Sequence, residues 1–357
     1  MQEILKRLEP QLVADLSAIT EQQWHEHRRK GIGGSDAAAV LGISPFKTGR
    51  DLYYSKLGIE PEESNDENWV QLEVGHLLED LTMRIFGKKT GFPICPTKKM
   101  YRHSEHSFML ANPDAFTKDQ DGPAIVEIKT TNYFAKDNWW HDGREIVPPY
   151  YEAQGRQYMS VLNMNRVYYC CLYGNSFDDV IIRRINRDMD YEAELIYHEQ
   201  SFWKNHVLQK VPPPYTESGD LALESVRRHV GSANPAMPAI SLDEGCASDI
   251  ETYLALQAKK SEWTRRAKAA ENQMKQIQAR ISDRMGKSCM ASWSDGETAY
   301  EISYKPSARE TISKNNLLKL KMQCPAIYRQ FATVSENRRF SVKAVTATTD
   351  TAERMAA

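Results

Sequence analysis

Two carboxylates and a lysine in this chain have a spacing that suits metal-assisted attack on a phosphate ester. Asp114 closes Asn112-Pro113-Asp114, and thirteen positions later Glu127 stands in Val126-Glu127-Ile128-Lys129. Alternate residues of a strand face the same side, so Glu127 and Lys129 project together. A short turn over residues 118–123 would bring Asp114, on a preceding strand, beside Glu127. With the carbonyl of Ile128, the two carboxylates make a pocket of hard oxygen donors for Mg²⁺ or Mn²⁺. Such an ion acidifies water and neutralises phosphate charge. Lys129 can orient the attacking water or offset transition-state charge. Alone the pattern is weak: it arises by chance, and Glu127–Lys129 is equally consistent with an exposed strand pair.

Three other segments carry polar residues that could serve the same site. Glu79 stands in Gly75-His76-Leu77-Leu78-Glu79-Asp80, among apolar positions expected to face a sheet, where it could supply a third metal ligand. Its ordinary reading is a solvated helix charge, and that of His76 is packing or hydrogen bonding. Gln154 and Tyr158 are four apart and share a helix face, so the amide could hold a water or a phosphate oxygen. By itself Gln154 would be a surface residue. Finally, Trp24 to Lys30 lead into Gly31-Ile32-Gly33-Gly34-Ser35-Asp36. Glycines allow close backbone approach to a phosphate, a helix N-terminus offers free N–H groups, and Arg28 can hold an anion bidentately. Ser35 adds a hydroxyl. The ordinary reading of this segment is a capped helix after a glycine turn, beside a basic surface run.

The elements that must position these residues follow from hydrophobic spacing. Helices are expected over 11–28, 37–41 (with Ser35 or Asp36 as N-cap), 49–57 (ending at Gly58) and 68–88. In the last, Val70, Val74, Leu77, Leu78, Leu81 and Ile85 keep helical spacing. An acidic loop separates the last two helices. Strands are expected near 98–102, 107–112 and 124–129, then a helix over 151–163, strands over 166–173 and 179–185, and a helix over 190–209. This order predicts an α+β fold with a mixed central sheet flanked by helices, followed by a smaller helical and β C-terminal module. Residues 1–210 form the first domain in this reading. Residues 211–247, rich in proline, form a linker. Residues 248–345 form the C-terminal module, with strands at 299–304 and 338–343 and a helix near 315–321, and residues 346–357 a disordered tail. Over 248–285, Ala267, Ala270, Met274, Ile277 and Ile281 recur every three or four residues. A coiled-coil seam has that pattern, and so does a helix packed on its own domain, the commoner case.

Composition narrows the function classes. The chain has 357 residues, 41% hydrophobic, with a formal net charge of −2. That balance argues against non-specific coating of nucleic acid but permits a local basic channel. No run reaches the roughly 18 apolar residues of a membrane span. The N-terminal MQEILKRLEP has no apolar signal core, so a cytoplasmic location is expected. Six cysteines without a CxxC pair are expected as reduced thiols, not a disulfide set or zinc site.

Taken together, GIGGSDAAAVLGISPFKT (31–48), GHLLED (75–80), ANPDAF (111–116), VEIKT (126–130) and the Gln154 helix resemble the YqaJ-like viral recombinase family, related to the phage lambda exonuclease. The resemblance runs from about Trp24 to Phe202. Where relatives often carry glycine after Pro-Asp, this chain has Ala115. The resemblance implies a PD-(D/E)xK nuclease fold and two-metal, Mg²⁺- or Mn²⁺-dependent 5′→3′ degradation of one strand of a DNA duplex. It implies Glu79, Asp114, Glu127 and the Ile128 carbonyl as metal ligands, Lys129 as the catalytic lysine and Gln154 as a supporting residue. Arg28, Gly34 and Ser35 would receive the terminal 5′-phosphate. The implied setting is the bacterial cytoplasm, phage or prophage encoded, with a single-strand annealing protein as partner and a ring-shaped homo-oligomer. A non-catalytic DNA-binding scaffold, and an endonuclease or 3′→5′ nuclease on the same core, are the alternatives.

Overall fold

The structure, a computed structural model, describes residues 9–62, 69–231, 234, 236–295, 297–309 and 311–332. The chain divides into two compact units, Met1–Ser232 and Ala233–Ala357.

The first unit is built on a mixed five-stranded sheet in the order β11-β10-β7-β6-β3. Its strands are β3 (Ile94–Pro96), β6 (Ala115–Asp119), β7 (Gly122–Thr130), β10 (Arg166–Leu172) and β11 (Val180–Asn186). β7 and β10 are parallel and the other pairings antiparallel. The two central strands are apolar on both faces, as strands covered on both sides must be. On one face Ala124, Val126, Ile128, Tyr168 and Cys170 pack with Met83 and Phe86 of α4 (Trp69–Thr90). On the other, Ile125, Val167, Tyr169 and Cys171 pack with Tyr158, Met159 and Leu162 of α5 (Pro149–Leu162). Gly155 lets α5 settle on the sheet: a Cβ there would lie 1.9 Å from the Tyr169 hydroxyl. A second sheet, β1-β4-β5-β2, joins β1 (Gln11–Asp15), β4 (Lys99–Arg102), β5 (Met109–Ala111) and β2 (Ile32–Gly33). A small hairpin pairs β8 (Trp140–His141) with β9 (Arg144–Glu145).

The α+β class with a central mixed sheet is as expected, and several elements differ in detail. The helix expected over 11–28 is instead β1, a 3-10 turn at Leu16–Ala18 and α1 (Glu21–Arg29), which Thr20 caps. Leu12 pairs with Tyr101 of β4, and Val13, Leu16, Ile19 and Trp24 cover Met100 and Leu110. A sheet edge far along the chain thus outcompetes local helical spacing. α2 spans Gly34–Val40, with Asp36 as its third residue accepting from the Gly33 N–H at the cap, and neither Ser35 nor Asp36 is the cap itself. α3 (Gly49–Leu57) ends at Gly58, whose φ of 70° needs glycine. On α4 only Thr82, Met83, Ile85 and Phe86 are buried, while Val70, Val74, Leu77 and Leu81 are exposed, so the stripe faces the sheet only in its C-terminal half. α6 (Met189–Phe202) runs into a π-helical turn at Trp203–Val207.

The stretch read as a linker, 211–247, holds a helix, α7 (Gly219–Val230), fastened to the first unit. Its buried Ser225 hydroxyl donates to Asp51 (2.7 Å) and accepts from Thr48 (3.1 Å). Arg228 and His229 reach the same aspartate at 2.9 and 3.0 Å. The flanking prolines mark entry to this helix, not a disordered tether. In the second unit α8 (Gly245–Met285) is followed by the hairpin of β12 (Met290–Ser294) and β13 (Ala299–Ser303), then α9 (Lys314–Gln323) and α10 (Pro325–Phe331). The strand expected at 338–343 and the tail expected at 346–357 lie outside the described residues. All six cysteines are free. No described helix is long and apolar enough to cross a membrane.

Candidate functional site

The β6–β7 hairpin aligns Ala115 with Val126, so Asp114, in the bend just before β6, stands level with Glu127. Asp114 is therefore not on a strand; leaving the ladder frees its carboxylate to accept from the Ile128 N–H at 2.7 Å. The β7 pleat turns Glu127 and Lys129 toward α5. There the Lys129 ammonium donates to Glu127 (2.6 Å) and to the Gln154 amide oxygen (3.1 Å). The Gln154 amide nitrogen donates to Glu127 (2.5 Å) and to Tyr158 Oη (3.0 Å), and Tyr158 in turn donates to the Asn112 carbonyl at 2.9 Å. Gln154 is thus buried within the network and is not a surface residue. Lys129 also sits 4.8 Å from the centre of the Tyr151 ring. Asp114, Glu127, Lys129 and Gln154 are brought together as expected, with Tyr158 behind them.

Burial dominates the electrostatics. It pushes the Asp114 carboxyl well above the usual carboxylate range, and the adjacent Glu127 adds to the rise. Burial also raises Glu127, against the opposing pull of the Lys129 charge. For Lys129, burial acts to lower the pKa, but Glu127 and Asp114 outweigh it and hold the ammonium charged. Two carboxylates forced together out of water need a cation. One oxygen shows the need directly: Glu127 Oε2 is buried and has no hydrogen-bond partner among the described residues. A hard divalent ion fits this donor set of Asp114, Glu127 and the Ile128 carbonyl.

Glu79 stands apart from that set. α4 covers the sheet face opposite to Gln154, and among the described residues no three His, Cys, Asp or Glu side chains converge tightly enough to hold a metal. The Glu79 carboxylate acts at longer range, raising both Asp114 and Glu127 through its charge. His76, on the same helix, is exposed.

A second polar centre lies at the start of α2. Asp36 is 1% exposed and holds three cations: Arg28 at 3.0 Å, Lys56 at 2.8 Å and Lys47 at 2.5 Å. Burial alone would raise this carboxyl, but Arg28, Lys47 and Lys56 hold it well below the usual range. Burial brings Lys56 down to about 8, against the pull of Asp36. Arg28 also donates to the Ser35 hydroxyl at 3.1 Å. The three cations line a cleft of about 430 Å³ with Trp24, Arg29 and Arg228. Beneath Asp36, fully buried Glu199 is pushed far up by burial and by the Asp36 charge. Sequence reading found Arg28 and Ser35; it missed Lys47 and Lys56, whose only sequence signal is their basic type.

The glycines here serve the protein's own side chains, contrary to the expectation that they admit a phosphate. A Cβ on Gly33 would lie 2.1 Å from Arg28 Nη1, and one on Gly34 would lie 2.4 Å from the Tyr158 ring. Gly34 is buried, so its part is to let α2 close on Tyr158, which links this centre to Gln154. Gly34→Ala is expected to cost about 1–3 kcal/mol through overpacking. Thermal unfolding checks this, and an unchanged midpoint would contradict the close packing.

The comparisons agree with this layout. The family model of the YqaJ-like viral recombinase domain matches residues 23–165. The protein YqaJ of Bacillus subtilis (strain 168) is 30% identical over 341 residues, which cover 94% of this chain and 98% of that one. Among solved structures, an alkaline exonuclease from Laribacter hongkongensis aligns with a TM-score of 0.44 at 17% identity, over 58% of this chain and 98% of that one. A phage-related exonuclease from Haemophilus somnus 129PT aligns with a TM-score of 0.37 at 12% identity, over 52% and 99%. With a relative at this identity spanning nearly the whole length, and the glycine-rich, Asp114 and Glu127–Lys129 segments all inside the matched domain, the chain belongs to the YqaJ-like viral recombinase family.

Proposed function

We propose that the chain is a divalent-metal-dependent 5′→3′ exonuclease on double-stranded DNA that leaves 3′ single-stranded overhangs for recombination by strand annealing. The observation that carries this reading is the buried meeting of Asp114, Glu127, Lys129 and Gln154, with one carboxylate oxygen left without a partner. When bound there, Mg²⁺ or Mn²⁺ neutralises phosphate charge and acidifies water. Asp114 and Glu127 hold the ion, with the Ile128 carbonyl completing the near side. Glu79, on α4, is the candidate for a second ion's environment, its charge already felt at both carboxylates. Lys129 presents a fixed positive charge where the phosphate gains negative charge. Gln154 holds Glu127 and Lys129 in one geometry, and Tyr158 holds Gln154.

Direction comes from the second centre. Three cations against one carboxylate leave the Arg28–Lys47–Lys56 cleft with a surplus of two positive charges, suited to a terminal 5′-phosphate beside the Ser35 hydroxyl. Arg28→Ala is expected to lower kcat/KM on 5′-phosphorylated duplex by about tenfold or more, while 5′-hydroxyl duplex is cut as before. Equal losses on both ends would remove the phosphate role, and nicking of closed circles would favour an endonuclease on the same core. In this reading the single strands produced pass to an annealing protein, in the bacterial cytoplasm of a phage or prophage host. A ring of copies around the duplex would keep the enzyme on its track.

A further inference from the structure

The 41-residue helix α8 has no buried residue. The packing on its own domain that its spacing suggested is therefore not what its apolar stripe does. Leu256, Trp263, Ala270 and Ile277 recur every seven residues, interleaved with Lys260, Ala267, Met274 and Ile281, in alternate steps of four and three. The repeat of 3.5 residues is that of a left-handed supercoil seam, sustained here for nearly four heptads. Leu256, Trp263 and Met274 are 57%, 64% and 69% exposed. An apolar stripe of this length left in water marks an interaction surface.

We infer that α8 pairs with α8 of a second copy of this chain as a parallel, in-register, two-stranded coiled coil. The choice of partner and direction rests on the charges beside the seam. One flank carries Lys259, Arg266, Gln273 and Arg280; the other carries Thr264, Glu271 and Gln278. In a parallel pair each residue of the first flank faces the residue five positions on in the other copy. Arg266 then meets Glu271 of the second copy, twice by symmetry, and no like charges meet. An antiparallel pair would set the first flank against itself, three cations and no anion, at a cost. Within one helix, Arg266 bonds Glu262 at 2.6 Å and Lys275 bonds Glu271 at 2.5 Å. These exposed pairs contribute little and can be shared. Lys260 is the one charged seam residue. A single lysine at that heptad position fixes register and oligomer state, and its ammonium can reach water along the helix flank. Ala267 and Ala270, small side chains at mid-seam, let the helices approach closely.

The test is the mass of the full-length chain by sedimentation velocity from about 1 to 50 µM, a range chosen around micromolar affinities. The dimer is expected for the wild type. Met274→Glu with Ile277→Glu, both on exposed positions, is expected to weaken it by at least a hundredfold and leave monomer. Arg266→Glu and Glu271→Arg singly are expected to weaken dimerisation about three- to tenfold, and the double reversal to restore it. A monomeric wild type, or a seam variant that keeps the wild-type mass, would overturn the pairing. A double reversal no better than either single change would overturn the parallel register.

Discussion

Lys129→Ala is expected to slow duplex digestion by about 10²- to 10³-fold, the usual loss when one fixed charge is removed from a transition state. Duplex binding should survive, because the cationic cleft at Arg28, Lys47 and Lys56 is built on other elements. The size of the effect follows from where the ammonium sits. It is buried, held at 2.6 Å from Glu127 and 3.1 Å from Gln154, and the carboxylates keep it charged despite burial. A charge preoriented in a dry site needs no reorganisation during the reaction. Single-turnover digestion of a 5′-phosphorylated duplex, with binding measured separately, checks both halves. Digestion at the wild-type rate would remove Lys129 from the chemistry; lost binding would mean that the substitution disturbs the fold instead.

Asp36→Ala is expected to destabilise the first unit by about 3–5 kcal/mol, the scale for breaking a buried ion cluster by removing one partner. Three cations would remain with nothing to balance them, Lys56 among them with its side chain only 3% exposed. The pH dependence has a definite sign. The three cations depress the Asp36 pKa in the folded chain, so its contribution is complete above the unfolded value near 3.8 and is lost as pH falls from there through the folded value. Denaturant titrations of wild type and variant at pH 7 and under acid conditions should therefore differ most at pH 7 and converge in acid. A gap that stays constant would show that the carboxylate's charge is not what stabilises the cluster. Because the variant cleft carries one more net positive charge, added inorganic phosphate is expected to recover part of the lost stability.

What was legible in the sequence is what depends on neighbours in the chain. The β-strand alternation puts Glu127 and Lys129 on one face, and the short hairpin to β6 aligns Asp114 with them. The Gln154–Tyr158 spacing placed both on one helix face, and the structure joins them by a hydrogen bond. The helix over 49–57 ended at Gly58 because only glycine takes that φ cheaply. What was not legible depends on distant partners. Nothing local shows that Lys47 and Lys56, on either side of α3's start and near its end, converge on Asp36. Leu12 and Val13 keep a helix-like spacing yet form an edge strand, because β4 offers backbone partners. The prolines after residue 210 hid α7, whose anchor to Asp51 lies more than 170 residues away in sequence. On α4 the apolar spacing was read correctly as helical, but the sheet reaches only the half around Met83 and Phe86.

The measurement that bears most directly on the central claim is digestion of a blunt duplex labelled separately at the 5′ and 3′ ends of one strand, with Mg²⁺ and with chelator. The expected result with Mg²⁺ is early release of the 5′ label as mononucleotide while the 3′ label stays on long fragments, and an intact duplex when the ion is chelated. Early release of the 3′ label, cutting that persists in chelator, or a duplex that stays whole with Mg²⁺ present would contradict it.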